Sequence, residues 1–264
     1  MNNARKSWTL TLAQLTEQLT EVARDAGAEI LKVYAADFTA TRKADQSPVT
    51  EADLAAEAVI LAALRRLTPD IPVIAEEQAQ AEGLPAEAAR RFWLVDPLDG
   101  TKEFVARNGE FTVNIALVEA GAPVLGIVHL PALDETYRGH AGTADRSLKR
   151  APFEPIAART PPAEGAVMTI SRSHAAKELV KAEEMGERIQ GTIVAGSSLK
   201  FCRLAEGVAD LYPRFGTTME WDTAAGHAVL AAAGGTVSTL EGAPLTYGKP
   251  GFRNPHFIAR GRRG

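Results

Sequence analysis

Two aspartates at the end of an apolar run are the residues in this sequence best placed to do chemistry. The run 92–95 stops at Asp96, and Asp99 follows after Pro97 and one leucine. Proline fixes its own φ and disfavours the helical region for the residue before it, so the backbone must turn between the two carboxylates. We therefore expect Asp96 and Asp99 to face one small volume, where carboxylate oxygens suit a hard cation such as Mg²⁺.

The residues after this pair suit an anion. Gly100 allows a close approach of backbone and ligand. Residues 101–107 are predicted to form a short helix, whose free N–H groups and positive dipole end favour a phosphate. Bound cations and a phosphate would then be neighbours. An ordinary Asp-Pro-Gly turn after a strand is the alternative explanation of the same residues.

Three more acidic residues lie at the ends of predicted elements. Glu76 follows a short predicted strand, Asp53 opens a predicted helix, and Asp222 precedes a predicted helix at 223–233. Each has an ordinary explanation as well. Glu76 with its neighbour Glu77 fits a solvated surface pair, and helix capping accounts for Asp53 and Asp222. Spacing alone leaves these alternatives open.

Several segments resemble those of a known family. D-P-L-D-G-T-K-E-F at 96–104, after W-L-V, is similar to the metal-binding motif of the lithium-sensitive, magnesium-dependent phosphatases, the superfamily of inositol monophosphatase and fructose-1,6-bisphosphatase. V-T-E-A-D at 49–53 and W-D-T-A-A-G-H at 221–227 resemble two further segments of that superfamily. Lys-Glu after the threonine and the W-D-T-A-A-G-H form are similar to the 3′(2′),5′-bisphosphate nucleotidases of the CysQ type. With 196–202 and 209–215, the resemblance covers nearly the whole chain.

The resemblance implies a sugar-phosphatase, inositol monophosphatase-like fold, a layered α+β or α/β architecture with alternating layers of helices and sheets. We expect one compact unit with an N-terminal α+β half at 1–145, a C-terminal α/β half at 146–264 and the metal site where they meet. The residue patterns agree, because predicted antiparallel strands follow the first motif, whereas strand and helix alternate after 166. The Gly- and Pro-rich stretch 139–165 is predicted to be a joining loop.

The resemblance also implies the ligands of two or three Mg²⁺ ions per active site. Four carboxylates in one cleft repel one another by about 4 kcal/mol per pair at ~4 Å and an effective dielectric constant of 20, so cations must balance them. Oxygen ligands without Cys or clustered His favour Mg²⁺ over Zn²⁺. The implied ligands are the side chains of Glu76, Asp96, Asp99 and Asp222 and the backbone carbonyl of Leu98.

The implied reaction is in-line attack of a metal-bound water on a phosphate monoester. Asp53, Thr101 and Glu76 would be the catalytic residues. Of the substrate-binding residues, His174, Ser197, Lys200 and Arg214 match the nucleotidase pattern for a second phosphate and an adenosine, although solvated surface positions also explain His174 and Lys200. The implied substrate-binding set is Glu76, Leu98, Asp99, Gly100, Thr101, His174, Ser197, Lys200, Arg214 and Asp222.

The function expected from this resemblance is removal of the 3′-phosphate from adenosine 3′,5′-bisphosphate, which gives AMP and phosphate and clears a by-product of sulfate assimilation. Inhibition by Li⁺ is expected as well. An inositol or sugar-phosphate monophosphatase with the same metals is the enzyme alternative. A non-catalytic nucleotide sensor is an alternative of another class. Asp53, Thr101 and the full ligand set argue against the sensor, which has no need to activate water.

Composition agrees with such an enzyme. The chain has 264 residues, 45% of them hydrophobic, which is enough for a sizeable core. A net charge of −4 argues against binding a nucleic-acid polymer and leaves room for a small anionic nucleotide. Cys202 is the only cysteine, and no apolar stretch approaches the ~20 residues that span a bilayer. We expect a cytoplasmic monomer or homodimer without an integral membrane segment, or a peripheral protein at the cytoplasmic face of the inner membrane.

Overall fold

The computed structural model describes residues 10–35, 41–42, 48–49, 51–172 and 175–262. Helices and two large sheets make up most of these segments. The long apolar stripe predicted from residue 11 onward does form one helix, which buries Leu15, Leu19 and Ile30. The helices are α1 (Leu12–Ala35), α2 (Glu51–Leu67), α3 (Glu76–Glu82), α4 (Thr101–Val105), α5 (Ala175–Glu184), α6 (Leu199–Ala205) and α7 (Ala224–Ala232), with a 3₁₀ turn at Pro250–Phe252.

The first large sheet has seven strands in the order β3-β4-β5-β6-β7-β8-β9. Its strands are antiparallel except that β3 runs parallel to β4. The short strands β1 (Thr41–Arg42) and β2 (Pro48–Val49) form a separate pair. The strands of the first sheet are β3 (Val73–Ala75), β4 (Arg91–Asp99), β5 (Thr112–Glu119), β6 (Ala122–Leu130), β7 (Glu135–His140), β8 (Thr143–Leu148) and β9 (Glu154–Pro155).

The second large sheet has five strands in the order β11-β10-β12-β14-β13. β10 is parallel to β11 and to β12, whereas β14 is antiparallel to both of its neighbours, β12 and β13. This mixture follows from the alternation of strands and helices in this part of the sequence. The strands are β10 (Ala166–Ile170), β11 (Ile189–Val194), β12 (Leu211–Arg214), β13 (Thr236–Thr239) and β14 (Phe257–Arg260).

Side chains along β4 and β5 point alternately to the two faces of the sheet, and each face packs against a different layer of helices. Trp93 and Ile115 belong to the core that contains the buried residues of α1 and α2. Leu94 and Ala116, on the opposite face, belong to the core shared with α6, α7 and the second sheet. A smaller core packs Ala182 of α5 on the second sheet. Helix and sheet layers therefore alternate, as predicted.

Helix α7 lies directly on the first sheet because two glycines leave space for it. A Cβ atom at Gly126 would lie 2.3 Å from the carbonyl oxygen of Ala225, and one at Gly139 would lie 2.5 Å from the Cα of Val229. These glycines let the helix backbone touch the strands. The close packing fixes the start of α7, and with it the preceding Asp222, against the sheet that carries β4.

The predicted loop at 139–165 is wrong in part, because it contains the end of β7 together with β8 and β9. Its polar residues pair across strands, as Arg138 Nη2 and Asp145 Oδ2 do at 2.7 Å. Charged composition therefore does not exclude a strand when opposite charges face each other. The division at 145/146 stays a prediction. Among the described helices, none combines the length and the apolar character needed to cross a membrane.

Candidate active site

Three elements bring acidic side chains to one place. Strand β3 runs beside β4 with Ala75 opposite Val95, so Glu76 at the start of α3 lies next to Asp96. The turn before α7 adds Asp222. One carboxylate oxygen from each of these three side chains lies within 4.8 Å of the others. Asp99 is not one of these three, but its charge acts on both Asp96 and Asp222. We name Glu76, Asp96, Asp99 and Asp222 together the acidic cluster.

The environment of the acidic cluster disfavours negative charge. Burial is the main cause that raises the pKa of Asp96 well above its usual value, and the charges of Glu76, Asp99, Asp222 and Asp53 raise it further. Burial is likewise the main cause for the raised pKa of Asp222, with contributions from Asp99 and Glu76. A bound divalent cation would reverse this effect, because it stabilises the ionised carboxylates.

Asp99 has a more balanced environment. Burial raises its pKa, whereas the nearby Lys200 ammonium and, more weakly, the Arg214 guanidinium lower it. Its side chain lies 3.5 Å from both the Thr112 hydroxyl and the Asn114 amide nitrogen. Asp99 therefore joins the carboxylates on one side to cationic side chains on the other.

The backbone between the two aspartates turns as the proline predicts, but within a strand. The pairing of β4 with β5 is interrupted between Asp96 and Asp99, and Leu98 N–H donates to Asp96 Oδ1 at 3.1 Å. Gly100 has φ of 93°, and a Cβ atom there would lie 2.0 Å from the Ser197 hydroxyl oxygen. That hydroxyl donates to the Asp99 carbonyl at 2.9 Å. Only glycine fits at position 100, where the second half of the chain contacts the motif.

Asp53 and Thr101, the predicted water-activating pair, lie on different helices. Asp53 is buried in the first turn of α2, and its charge raises the pKa of Asp96. Thr101 opens α4 directly after Gly100. Thr50, which would form a capping box with Asp53 at the start of α2, lies outside the described residues, and so does His174.

A cavity of about 170 Å³ is lined by Asp99 and Asp222 of the acidic cluster and by cationic side chains. Lys200 is buried, contrary to the alternative of a solvated lysine, and burial is the main cause that lowers its pKa. Arg214 has a buried Nε without a hydrogen-bond partner in the described part of the chain. A larger cavity of about 510 Å³ borders α3 but contains no predicted ligand. The smaller cavity contains the predicted residues Asp99, Gly100, Ser197, Lys200, Arg214 and Asp222.

Other residues that line the smaller cavity were not predicted. Lys102 and Glu103 lie within the first motif, so their position in the sequence could have identified them. Tyr212 lies in β12 within the similar segment 209–215, whereas Ser171 follows β10 and no motif marks it. Phe201, Thr218 and Thr223 complete the lining.

Hydrogen bonds fix the turn that carries Asp222. Met219 N–H donates to Asp222 Oδ2 at 2.9 Å, and the Ser198 hydroxyl donates to the Asp222 carbonyl at 2.9 Å. Beside it, the fully buried carboxylate of Glu220 accepts from the backbone of Gly248 and Lys249 and pairs with the Lys249 ammonium at 2.5 Å. Asp222 therefore keeps its place without support from the other acids.

Known proteins resemble this chain over most of its length. The sequence model of the inositol monophosphatase family matches residues 11–260. A Salmonella typhimurium protein named 3′(2′),5′-bisphosphate nucleotidase CysQ is 49% identical over 92% of this chain and 98% of its own length.

Two solved structures share the fold. CysQ from Bacteroides thetaiotaomicron, described as a bacterial member of the inositol monophosphatase family, has a TM-score of 0.77 at 35% identity, covering 95% of this chain and 98% of its own. An inositol monophosphatase from Anabaena has a TM-score of 0.73 at 29% identity, covering 94% and 91%. The chain belongs to the inositol monophosphatase family.

Proposed function

We propose that this chain is a Mg²⁺-dependent 3′(2′),5′-bisphosphate nucleotidase that removes the 3′-phosphate of adenosine 3′,5′-bisphosphate to give AMP and phosphate. The observation that carries the proposal is the cavity in which Asp99 and Asp222 of the acidic cluster meet Lys200 and Arg214. Hydrolysis of a monoester needs the acidic cluster, and a second phosphate needs cations of its own. The relative named as a bisphosphate nucleotidase, at 49% identity, supports the same assignment.

The residues at the site fit Mg²⁺. Glu76, Asp96 and Asp222 offer hard carboxylate oxygens close together, and burial with mutual repulsion raises the pKa values of Asp96 and Asp222. Glu76, Asp96, Asp99, Asp222 and the Leu98 carbonyl would hold two or three ions. Bound Mg²⁺ would supply a nucleophile at neutral pH and charge stabilisation for the leaving oxygen.

The chain's own residues then position water and phosphate. The Thr101 hydroxyl orients the attacking water, and the Asp53 carboxylate accepts its proton with assistance from Glu76. The backbone N–H groups of Gly100 and Thr101 hold phosphate oxygens as charge develops on them. Asp222 lies near the leaving oxygen. The burial of Asp53 and its influence on Asp96 support its place in this arrangement.

The uncleaved phosphate and the adenosine bind in the rest of the cavity. Lys200 and Arg214 pair with the second phosphate, and Ser197 and His174 complete the contacts. The Arg214 Nε, a buried donor without a partner in the segments described, supports this role because charged ligand oxygens would satisfy it. We further propose a cytoplasmic role linked to sulfate assimilation, for a monomer or homodimer.

An inositol or sugar-phosphate monophosphatase is the second candidate, favoured by the structural likeness to the Anabaena inositol monophosphatase. Phosphate release from adenosine 3′,5′-bisphosphate and inositol 1-phosphate, measured side by side with Mg²⁺, separates the two. We expect the larger kcat/KM on the bisphosphate. Equal or faster release from inositol 1-phosphate contradicts the nucleotidase proposal, and tight binding without hydrolysis of either identifies a sensor.

A further inference from the structure

Asn114 is a buried polar residue beside the acidic cluster with an unsatisfied oxygen. It lies on β5 directly opposite Asp96 of β4 and is 1% exposed. Its Nδ2 lies 3.5 Å from Asp99 Oδ2. Its Oδ1 is buried and has no hydrogen-bond partner among the residues that the structure describes.

The side chain of Asn114 faces the acidic cluster rather than the opposite core. Side chains alternate along a strand, so Asn114 shares its face with Ala116 and Val118, which pack in the core shared with α7. Directly opposite residues of antiparallel strands have Cβ atoms about 4.5–5.5 Å apart. The carboxylate of Asp99 can only accept when ionised, which assigns Nδ2 to that contact and leaves Oδ1 as the group that needs a donor.

A purely structural role does not explain this arrangement. A buried carbonyl without a donor costs free energy, and an apolar side chain of similar shape avoids that cost. Once a bound cation keeps the carboxylates around it ionised, they offer no donor. No described residue donates to this oxygen, and water coordinated to a cation of the acidic cluster would have protons to donate.

We infer that Asn114 is a positioning residue of the metal site. Its amide nitrogen donates to Asp99 and orients that ligand, and its amide oxygen accepts a hydrogen bond from water coordinated to the Mg²⁺ held by Asp96 and Asp99. The inference rests on the Mg²⁺ site of the proposed function. Outer-shell partners of this kind affect metal affinity about 10- to 100-fold.

Thermal unfolding with and without Mg²⁺ tests this inference without any substrate. The variant Asn114→Leu removes both polar contacts at similar volume. In EDTA we expect its Tm to equal or exceed that of the wild type, because an unsatisfied oxygen is gone. The Mg²⁺ concentration that gives half of the maximal stabilisation should rise at least about tenfold.

Asn114→Asp is the second variant, for use if the leucine variant does not fold. It keeps an acceptor oxygen, loses the donor to Asp99 and adds a negative charge. We expect a lower Tm than the wild type in EDTA and a larger increase in Tm on addition of Mg²⁺. An unchanged Mg²⁺ response in the variant that folds would overturn the inference.

Thr136→Val is a matched control in the same sheet. Thr136 is 1% exposed, and its hydroxyl lies 2.9 Å from His129 Nδ1. We expect it to lower Tm equally with EDTA and with Mg²⁺. If Asn114→Leu behaves in the same way, Asn114 is structural and the inference is wrong. If the wild-type protein itself gains no stability from Mg²⁺ in this titration, the Mg²⁺ site of the proposed function is wrong. That result differs from a failure of the inference, in which the wild type and Asn114→Leu respond equally to Mg²⁺.

Discussion

Two regions of this molecule bury carboxylates, and they treat them differently. Glu206, whose side chain is 3% exposed, accepts hydrogen bonds from Arg146, Arg203 and the Tyr137 hydroxyl. We name this set the paired cluster. In the acidic cluster, the charges that act on the pKa of Asp96 come from other acids. The paired cluster neutralises Glu206 with neighbouring arginines. In the acidic cluster the cations Lys200 and Arg214 act on Asp99, whereas the charges that most affect Asp96 are all negative.

This difference separates stability from function. A buried ion pair that satisfies its hydrogen bonds is costly to break, because the remaining charge is stranded. Acids that repel one another weaken the folded state and gain from an external cation. We therefore expect the paired cluster to determine stability and the acidic cluster to determine metal binding and activity.

The largest expected effect comes from removing one charge of the acidic cluster. Asp222→Asn and Asp96→Asn should each lower kcat about 10²- to 10³-fold, the usual scale for losing one electrostatic contact to the transition state. Their Tm in EDTA should equal or exceed that of the wild type, because repulsion is relieved. Steady-state kinetics measures the change in kcat, and thermal unfolding in EDTA measures the change in Tm. A Tm in EDTA well below that of the wild type, together with the loss of activity, would show that these acids are structural.

The paired cluster should respond in the opposite way. Glu206→Gln leaves Arg146 without its carboxylate and Arg203 with the more distant Glu135, at 3.8 Å. It should cost roughly 3 kcal/mol of unfolding free energy, at the low end for buried pairs because the Arg146 side chain is 31% exposed. The remaining folded enzyme should keep the wild-type kcat and Mg²⁺ requirement. Denaturant unfolding gives the free energy. Unchanged stability would show that these ion pairs make no net contribution to the free energy of unfolding. It would contradict the expectation that the paired cluster determines stability.

The buried, neutral side chain of His227 should make the stability of the fold depend on pH. Burial lowers the pKa of His227 to about 4, and Nδ1 lies 3.0 Å from the Tyr247 hydroxyl. Its folded pKa is below the unfolded value of 6.5, so its contribution to stability is complete above pH 6.5 and is lost as pH falls towards 4. That contribution is roughly 3 kcal/mol. Unfolding curves of wild type and His227→Gln should therefore converge towards pH 4, and parallel curves would contradict the assignment.

The smallest expected effect concerns substrate choice. Lys200→Met or Arg214→Met should each weaken binding of the bisphosphate by about 1.5–3 kcal/mol, the scale of hydrogen bonds to charged groups. A loss shared by substrate and transition state appears as a higher KM with nearly unchanged kcat. Inositol 1-phosphate serves as the control substrate. An equal loss on both substrates would assign these residues to the acidic cluster or to the fold.

Sequence alone predicted the parts of the site that depend on local chemistry. Pro97 predicts the turn between the aspartates, and the pairing of β4 is interrupted there. Gly100 was predicted to allow a close approach of backbone and ligand, and it has the positive φ that glycine favours. The proximity of Glu76 to Asp96 depends on the pairing of β3 with β4, which no local pattern specifies and which only the family resemblance supplied. The strand β8 was missed because its charged residues are neutralised by partners on other elements, Asp145 by Arg138 of β7 and Arg146 by Glu206 at the end of α6.

The role inferred for Asn114 could not be predicted from the sequence. In the sequence it is one polar residue within an apolar strand, where an edge position or a bulge would explain it equally well. Its meaning depends on an oxygen without a partner in the described structure, which only three-dimensional packing reveals. The burial of Lys200 likewise follows from the packing of α6 and not from the pattern of its helix.

The central claim is that the acidic cluster acts by holding Mg²⁺, and chelation tests it most directly. Phosphate release from adenosine 3′,5′-bisphosphate should be measured with Mg²⁺, after removal of the metal with EDTA, and again after Mg²⁺ is restored. We predict that activity disappears on chelation and returns with Mg²⁺, while the chain stays folded throughout. Full activity in EDTA would contradict the account.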